Sequence, residues 1–186
     1  MRSNRRDELI STAVKLFARQ GYHATGIDQI IAESGVAKMT LYNHFKSKNE
    51  LILAALRRYD EDARHRIMRS IERRARNPRE RLLALFDVLD EWFTSDKFFG
   101  CMFINATAEF AQHDDPIHAV AEQHKRLLRN YLREQALAAG AQDPDNLVEQ
   151  ICLLMDGAIV TAQINGQSTA AQARSAAEVL LAQALD

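Results

Sequence analysis

The sequence predicts an all-α protein of about nine helices. Three observations carry that expectation. Apolar residues recur at helical rather than strand spacing. Each of the three prolines stands directly behind an Asn or Asp able to cap a helix. Gly21, Gly35, Gly140 and Gly166 fall where the apolar stripes stop. The chain has 186 residues, 47% of them hydrophobic and 26% charged. That is the composition of a globular protein with a sizeable core, and it excludes disordered or collagen-like classes. Three prolines and seven glycines are few for a β-rich fold with many tight turns.

The elements follow in order. Ile10, Val14 and Phe17 form the stripe of a helix over 3–20, stopped at Gly21. A helix over 25–34 has Thr25 and Asp28 as capping candidates, an apolar face of Ile27, Ile30 and Ile31, and a break at Ser34, Gly35 and Val36. A short helix over 37–44 points Leu41 and Phe45 inward. Ser47 and Glu50 have the spacing of a capping box and open a continuous helix over 47–76. Asn77-Pro78, with Glu80 at the same spacing, opens 78–95, striped by Leu82, Leu85, Phe86, Leu89 and Phe93. A helix over 98–113 follows. Asp115-Pro116 opens 116–139, and Asp143-Pro144 opens 144–165, which Gly166 ends. The last helix is expected over 168–185.

Charge divides the chain. Residues 1–58 carry 10 Lys/Arg against 5 Asp/Glu, a net of +5, whereas residues 59–186 have a net of −6. An anion-binding N-terminal third is the pointed interpretation, with nucleic acid the leading partner; a solvated face is the plain one. Two short helices joined by a glycine-containing turn form a helix-turn-helix, whose second helix can enter the major groove of DNA. That second helix is crowded with Lys38, Met39, Thr40, Tyr42, Asn43 and His44, side chains suited to base edges and phosphates. Lys48 sits in the first turn of the next helix, where the helix dipole disfavours a cation unless a phosphate lies close by.

Residues 9–56 resemble the DNA-binding domain of the TetR family of bacterial transcriptional repressors. The matching pieces are Phe17 through Tyr22, Thr25, Ile30 through Val36, Thr40 through Phe45, and Lys48 through Leu51. The run of Leu41, Tyr42, His44, Phe45 and Lys48 is specific to that family and covers, with its neighbours, about a quarter of the chain. Residues 100–109 are similar to a segment common in one broad group of these regulators. The resemblance implies a three-helix helix-turn-helix domain at 1–47, joined to an effector-binding and dimerisation domain at 48–186. It implies a homodimer that represses transcription from a palindromic DNA operator and is released by a small-molecule effector. Carried onto this chain, Lys38, Met39, Thr40 and Asn43 would face bases, and Thr25, Tyr42, His44 and Lys48 would hold phosphates. Arg2, Arg5 and Arg6 could add backbone or minor-groove contacts.

In the remainder, Ala158, Ile159, Ala173, Ala177, Leu180, Leu181 and Ala184 are small or aliphatic and permit close helix approach. The resemblance places a two-fold interface within 144–185. Phe86, Leu89, Phe93, Met102, His124, Leu128, Tyr131 and Met155 are candidate walls of an effector site, which points to a hydrophobic or aromatic ligand. Each has a plainer reading as core. Asn105 and Glu109, four residues apart, suit either a ligand contact or a helix–helix hydrogen bond.

The same residues bear on other classes of function. Cys101 and Cys152 cannot form a disulfide framework, and neither has a basic neighbour within three positions, so a thiol-responsive regulator is a secondary reading. His113, Asp114, Asp115 and His118 suggest a metal, but a helix cap at Asp115 explains the acidic pair; no metal or cofactor is expected. No phosphate loop, nucleophile elbow or zincin pair occurs, so no catalytic residue is assigned and an enzyme or a helical module without DNA binding remains an alternative. No signal core follows the N-terminal arginines and no run of about 18 uninterrupted apolar residues occurs. The expectation is a cytoplasmic protein without a membrane partner.

Overall fold

The computed structural model describes residues 4–185. Arg2, and the first position of the helix expected over 3–20, lie outside them. The described residues form nine helices and no strand: α1 (Arg5–Gln20), α2 (Ile27–Ser34), α3 (Lys38–His44), α4 (Lys48–Arg74), α5 (Pro78–Phe93), α6 (Met102–Glu109), α7 (Pro116–Ala138), α8 (Pro144–Asn165) and α9 (Ala170–Leu185). The all-α expectation therefore holds.

The caps work much as the sequence requires. Asn77 Oδ1 accepts from Glu80 N at 2.8 Å, and Asp143 Oδ1 from Asn146 N at 3.1 Å, each ahead of a proline at N1. Ser47 Oγ accepts from Glu50 N, but the Glu50 carboxylate reaches Lys46 N at 2.8 Å, one residue before the cap of an ideal capping box. Asp115 Oδ1 accepts from Ile117 N at 2.7 Å.

Two elements depart from expectation. α2 starts at Ile27, capped by the Gly26 backbone and not by Thr25 or Asp28. Thr25 is fully buried and its hydroxyl donates back to Gly21 O at 2.7 Å, so it closes the loop after α1. α6 covers eight residues rather than 98–113. Gly100, at φ +84°, breaks the chain before it, and the C-cap Phe110 leaves helical geometry after it.

Contacts divide the chain into two compact units. Met1–Asp62 with Cys101–His124 form one, and Ala63–Gly100 with Lys125–Asp186 the other. In the first, α1, α2 and α3 pack together over Leu9, Ala13, Leu16, Phe17, Ile30 and Leu41, all buried. In the second, α5, α8 and α9 pack on one another. Small residues Ala158, Ala162, Ala173 and Ala177 are buried there, which lets helix backbones approach. Among the described helices, α8 is long and apolar enough to cross a membrane, with a mean hydropathy of 1.5 over its most apolar window. Its buried face of Leu147, Ile151, Met155 and Ile159 is what a core helix of this unit needs.

Candidate nucleic-acid interface

The reading helix is positioned by its own apolar pair. Leu41 and Phe45 are buried, and burying each is worth about 1.5–3 kcal/mol. That anchorage turns the opposite face of α3 to solvent. Met39 is 70% exposed and Tyr42 46% exposed. Lys38, Asn43 and His44 are exposed beside them, and Thr40 is half-buried. The turn ahead of α3 depends on Gly35, whose φ of +64° ends α2 in the left-handed conformation. Lys38 Nζ lies 3.0 Å from Asp28 Oδ1, and that carboxylate holds the ammonium above its usual range. Tyr42 and His44 leave their polar atoms free of any hydrogen bond among the described residues.

The four expected phosphate holders thus divide. Tyr42 and His44 face outward. The Thr25 hydroxyl is committed to Gly21 O. Lys48 is half-buried, and its ammonium donates to His23 O at 3.1 Å. Burial lowers the Lys48 pKa, with the charge of Glu109 working in the opposite direction. Of the N-terminal arginines, Arg5 pairs with Glu8 at 3.2 Å and Arg6 lies over the Phe45 ring, 5.4 Å from its centre.

A fixture missing from the sequence reading holds this assembly. Glu109, at the end of α6, accepts from Tyr22 N at 2.8 Å and His23 N at 2.6 Å, and its carboxylate lies 2.7 Å from His23 Nδ1. Desolvation pushes that carboxyl up, but the amides of His23 and Tyr22 and the His23 ring outweigh it and hold the group below its ordinary value. Tyr22 is fully buried and its hydroxyl donates to Met102 O at 2.8 Å, so both ends of α6 grip the residues after α1. His23 stacks on Phe110, ring centres 4.9 Å apart. Gly21 is required there: a Cβ would stand 2.7 Å from Glu109 Oε1, and its φ is +83°. The carboxylate is about 87 positions from its partners, so local sequence carries no sign of the contact.

The comparisons with known proteins agree with this geometry. The family described as bacterial regulatory proteins, tetR family, matches residues 9–55, and the tetracyclin repressor-like C-terminal domain matches residues 78–177. The chain belongs to the TetR family. The HTH-type transcriptional activator FasR of Mycolicibacterium smegmatis is 36% identical over 95 residues, 51% of this chain and 43% of FasR. This chain thus spans less than half the length of that relative. The HTH-type transcriptional regulator YjdC of Escherichia coli is 24% identical over 163 residues, 86% of this chain and 84% of YjdC. The crystal structure of SCO4454, a TetR-family transcriptional regulator from Streptomyces coelicolor, superposes with a TM-score of 0.88. It is 26% identical and covers 100% of this chain and 92% of that one. The family and these relatives are transcriptional regulators, not enzymes.

The expected effector residues of this TetR-family chain fall in both units. Met102, Asn105, Glu109 and His124 lie in the first, and Phe86, Leu89, Phe93, Leu128, Tyr131 and Met155 in the second. In the first, Glu109 is taken up by the loop after α1, a hydrogen-bonding role with a loop rather than another helix. Asn105 is half-buried and Met102 buried. His124 is buried, stacked on Phe103 with ring centres 3.7 Å apart, and its Nδ1 lies 2.7 Å from Asp60 Oδ1. In the second, all six are buried. The Tyr131 hydroxyl is enclosed without a hydrogen-bond partner among the described residues. A hollow of about 620 Å³ between α1 and α4, lined by Ile10, Val14, Phe45, Leu53 and Tyr59, contains none of the ten.

Both cysteines are buried. Burial pushes the Cys152 thiol up to about 11, away from the thiolate a redox sensor needs. Of the residues that suggested a metal, Asp115 caps α7, His118 Nδ1 lies 2.9 Å from Phe110 O, and the rings of His113 and His118 meet edge to face. Among the described residues, no group of three or more His, Cys, Asp or Glu is placed to hold a metal ion.

Proposed function

We propose that the chain is a dimeric, sequence-specific repressor acting in the cytoplasm, released from a palindromic operator by a small hydrophobic or aromatic effector. Residues 1–47 read the DNA, and residues 48–186 bind the effector and dimerise. The outward face of α3 carries the reading: Met39 and Tyr42 stand exposed, flanked by Lys38, Asn43 and His44, over a buried Leu41 and Phe45. Lys38, Met39, Thr40 and Asn43 contact bases. Tyr42 and His44 hold phosphates through their side chains. Thr25 serves through its position at the mouth of α2, and Lys48 by exchanging His23 O for a phosphate.

Dimerisation through 144–185 is supported by an unpartnered stripe on α8. Leu153, Gly157, Val160 and Ile164 recur at i, i+4, i+7 and i+11 and are all exposed, Leu153 by 73% and Ile164 by 76%. An apolar row with glycine at its centre suits a self-complementary two-fold contact. The effector site is supported by the enclosed Tyr131 hydroxyl, since a buried polar group without a partner marks a place where a ligand atom can complete the bonding.

Selection of bound duplexes from a random pool tests the reading. A palindrome with half-sites about one helical turn apart or somewhat more is expected; no enrichment at low salt overturns it. Activation is a second reading, favoured by the printed role of FasR. Transcription in vitro from a template carrying the selected operator separates the two, because repression lowers transcript on adding protein and activation raises it.

A further inference from the structure

Residues 63–79 are charged out of proportion to their surroundings. They carry seven arginines against one acid, Glu72, a net of +6, whereas the other residues beyond 58 have 7 Lys/Arg against 19 Asp/Glu, a net of −12. On α4 the exposed Arg69 and Arg73 follow the exposed His65 at four-residue steps, which puts them on one face. Exposed Arg76 continues the spacing into the turn after α4, and exposed Arg79 stands in the first turn of α5.

Arg69 Nε donates to His65 O at 3.2 Å and Arg73 Nη2 to Ser70 Oγ at 3.1 Å. Among the described residues, no carboxylate pairs with Arg69, Arg73, Arg76 or Arg79. In the same unit Arg74, Arg129, Arg133 and Arg174 are paired, with Glu91, Glu149, Asp145 and Asp87. The carbonyl end of α4 accounts for a cation at Arg73, but the dipole of α5 opposes one at Arg79. No lysine occurs between Lys48 and Lys97. An all-arginine face offers planar forks that match phosphate two bonds at a time.

We propose that this face binds the phosphate backbone of a second DNA duplex, other than the operator held by α3, so that one regulator bridges two DNA segments. A duplex is the polyanion that a DNA-binding family meets at highest local concentration, and backbone contacts need no particular sequence. The proposal rests on the proposed function for its choice of polyanion. Operator affinity, measured alone, reports on that function separately.

The test loads the full chain with one equivalent of short unlabelled operator duplex, then titrates in a fluorescent non-operator duplex across a salt series. A ternary complex with steep salt dependence is expected. R69Q/R73Q/R76Q should weaken the second duplex on the order of tenfold and cut the salt slope by about 2.7 per patch, at roughly 0.9 per phosphate contact. Helicity and operator affinity should not change. R69K/R73K/R76K should keep most of the slope. R76Q/R79Q, which alters no residue of α4, should reproduce part of the loss even if the triple variant fails to fold. A native chain that takes no second duplex, or variants that take it equally well, would overturn the proposal. So would binding to phosphatidylserine vesicles without binding to duplex, which would assign the face to a lipid surface.

Discussion

The exposed apolar side chains of α3 and those of α8 are similar in exposure and different in setting. Met39 and Tyr42 stand on a seven-residue helix among Lys38, Asn43 and His44. Leu153, Val160 and Ile164 stand in a row along a 22-residue helix with Gly157 between them. An apolar tip among donors and cations suits a grooved polyanion, where a methyl or ring edge adds to a polar contact. An apolar row without charges suits only another apolar row. Exposure alone does not distinguish the two surfaces; the neighbours do.

The largest effect is expected from breaking the second surface. Leu153→Glu with Ile164→Glu puts like charges on a self-complementary row, and sedimentation at micromolar concentration should show half the native mass. Operator affinity should then fall on the order of 100-fold or more, because the two half-sites are no longer linked. Native mass retained by the double variant would place the dimer contact elsewhere.

Gly21→Ala tests whether the first surface depends on the grip behind it. An alanine must hold the backbone at a positive φ, and its Cβ must displace the Glu109 carboxylate. A strain of about 1–3 kcal/mol is expected, read as a lowered thermal midpoint and weaker operator binding. A smaller loss is expected from Glu109→Ala, and less again from Glu109→Gln, whose amide oxygen can still accept from one backbone N–H. The pH dependence has a definite sign. The folded Glu109 is held below its ordinary 4.5, so its contribution is full above that value and is lost as pH falls through the lowered folded value. The urea midpoints of native and Glu109→Ala chains should differ at neutral pH and converge in acid. A gap that persists in acid would mean packing, not charge, carries the effect.

This grip also marks the limit of what the sequence made legible. Periodicity and caps are local, so eight of the nine helices among the described residues could be placed closely; Asn77, Asp143 and Pro78 act within three residues of themselves. The expected helix over 98–113 failed at both ends, because Gly100 and Phe110 respond to tertiary surroundings; the Gln163 side chain fills the space that a Cβ at Gly100 would need. The outward face of α3 was readable from Leu41 and Phe45, whose spacing fixes the other side. Thr25 and Lys48 were readable only as residue types. That the Lys48 ammonium answers His23 O, 25 positions away, follows from loop closure beyond any local window, whereas the Thr25 bond to Gly21 O spans four residues and is set by the turn itself. Glu109 was noticed as a polar group on an apolar stretch, while His23 carried no signal of its own.

The smallest chemical change, removal of one oxygen, sharpens the first surface itself. Tyr42 has an exposed ring and a hydroxyl without a partner among the described residues. In the proposed complex that hydroxyl donates to a phosphate oxygen, a charge-assisted bond worth about 1.5–3 kcal/mol. Tyr42→Phe removes only the oxygen and should weaken every operator variant alike by roughly ten- to a hundredfold. Lys38→Ala should instead change which bases are tolerated, as a base contact does. Because tyrosine is uncharged, Tyr42→Phe should leave the salt slope nearly intact, whereas loss of a cation lowers it by about one. Measuring affinity against a panel of single-base operator variants at two salt concentrations reads both quantities together. A loss confined to one base position would move Tyr42 from the backbone to the bases, and no loss at all would return its ring to a packing role on α3.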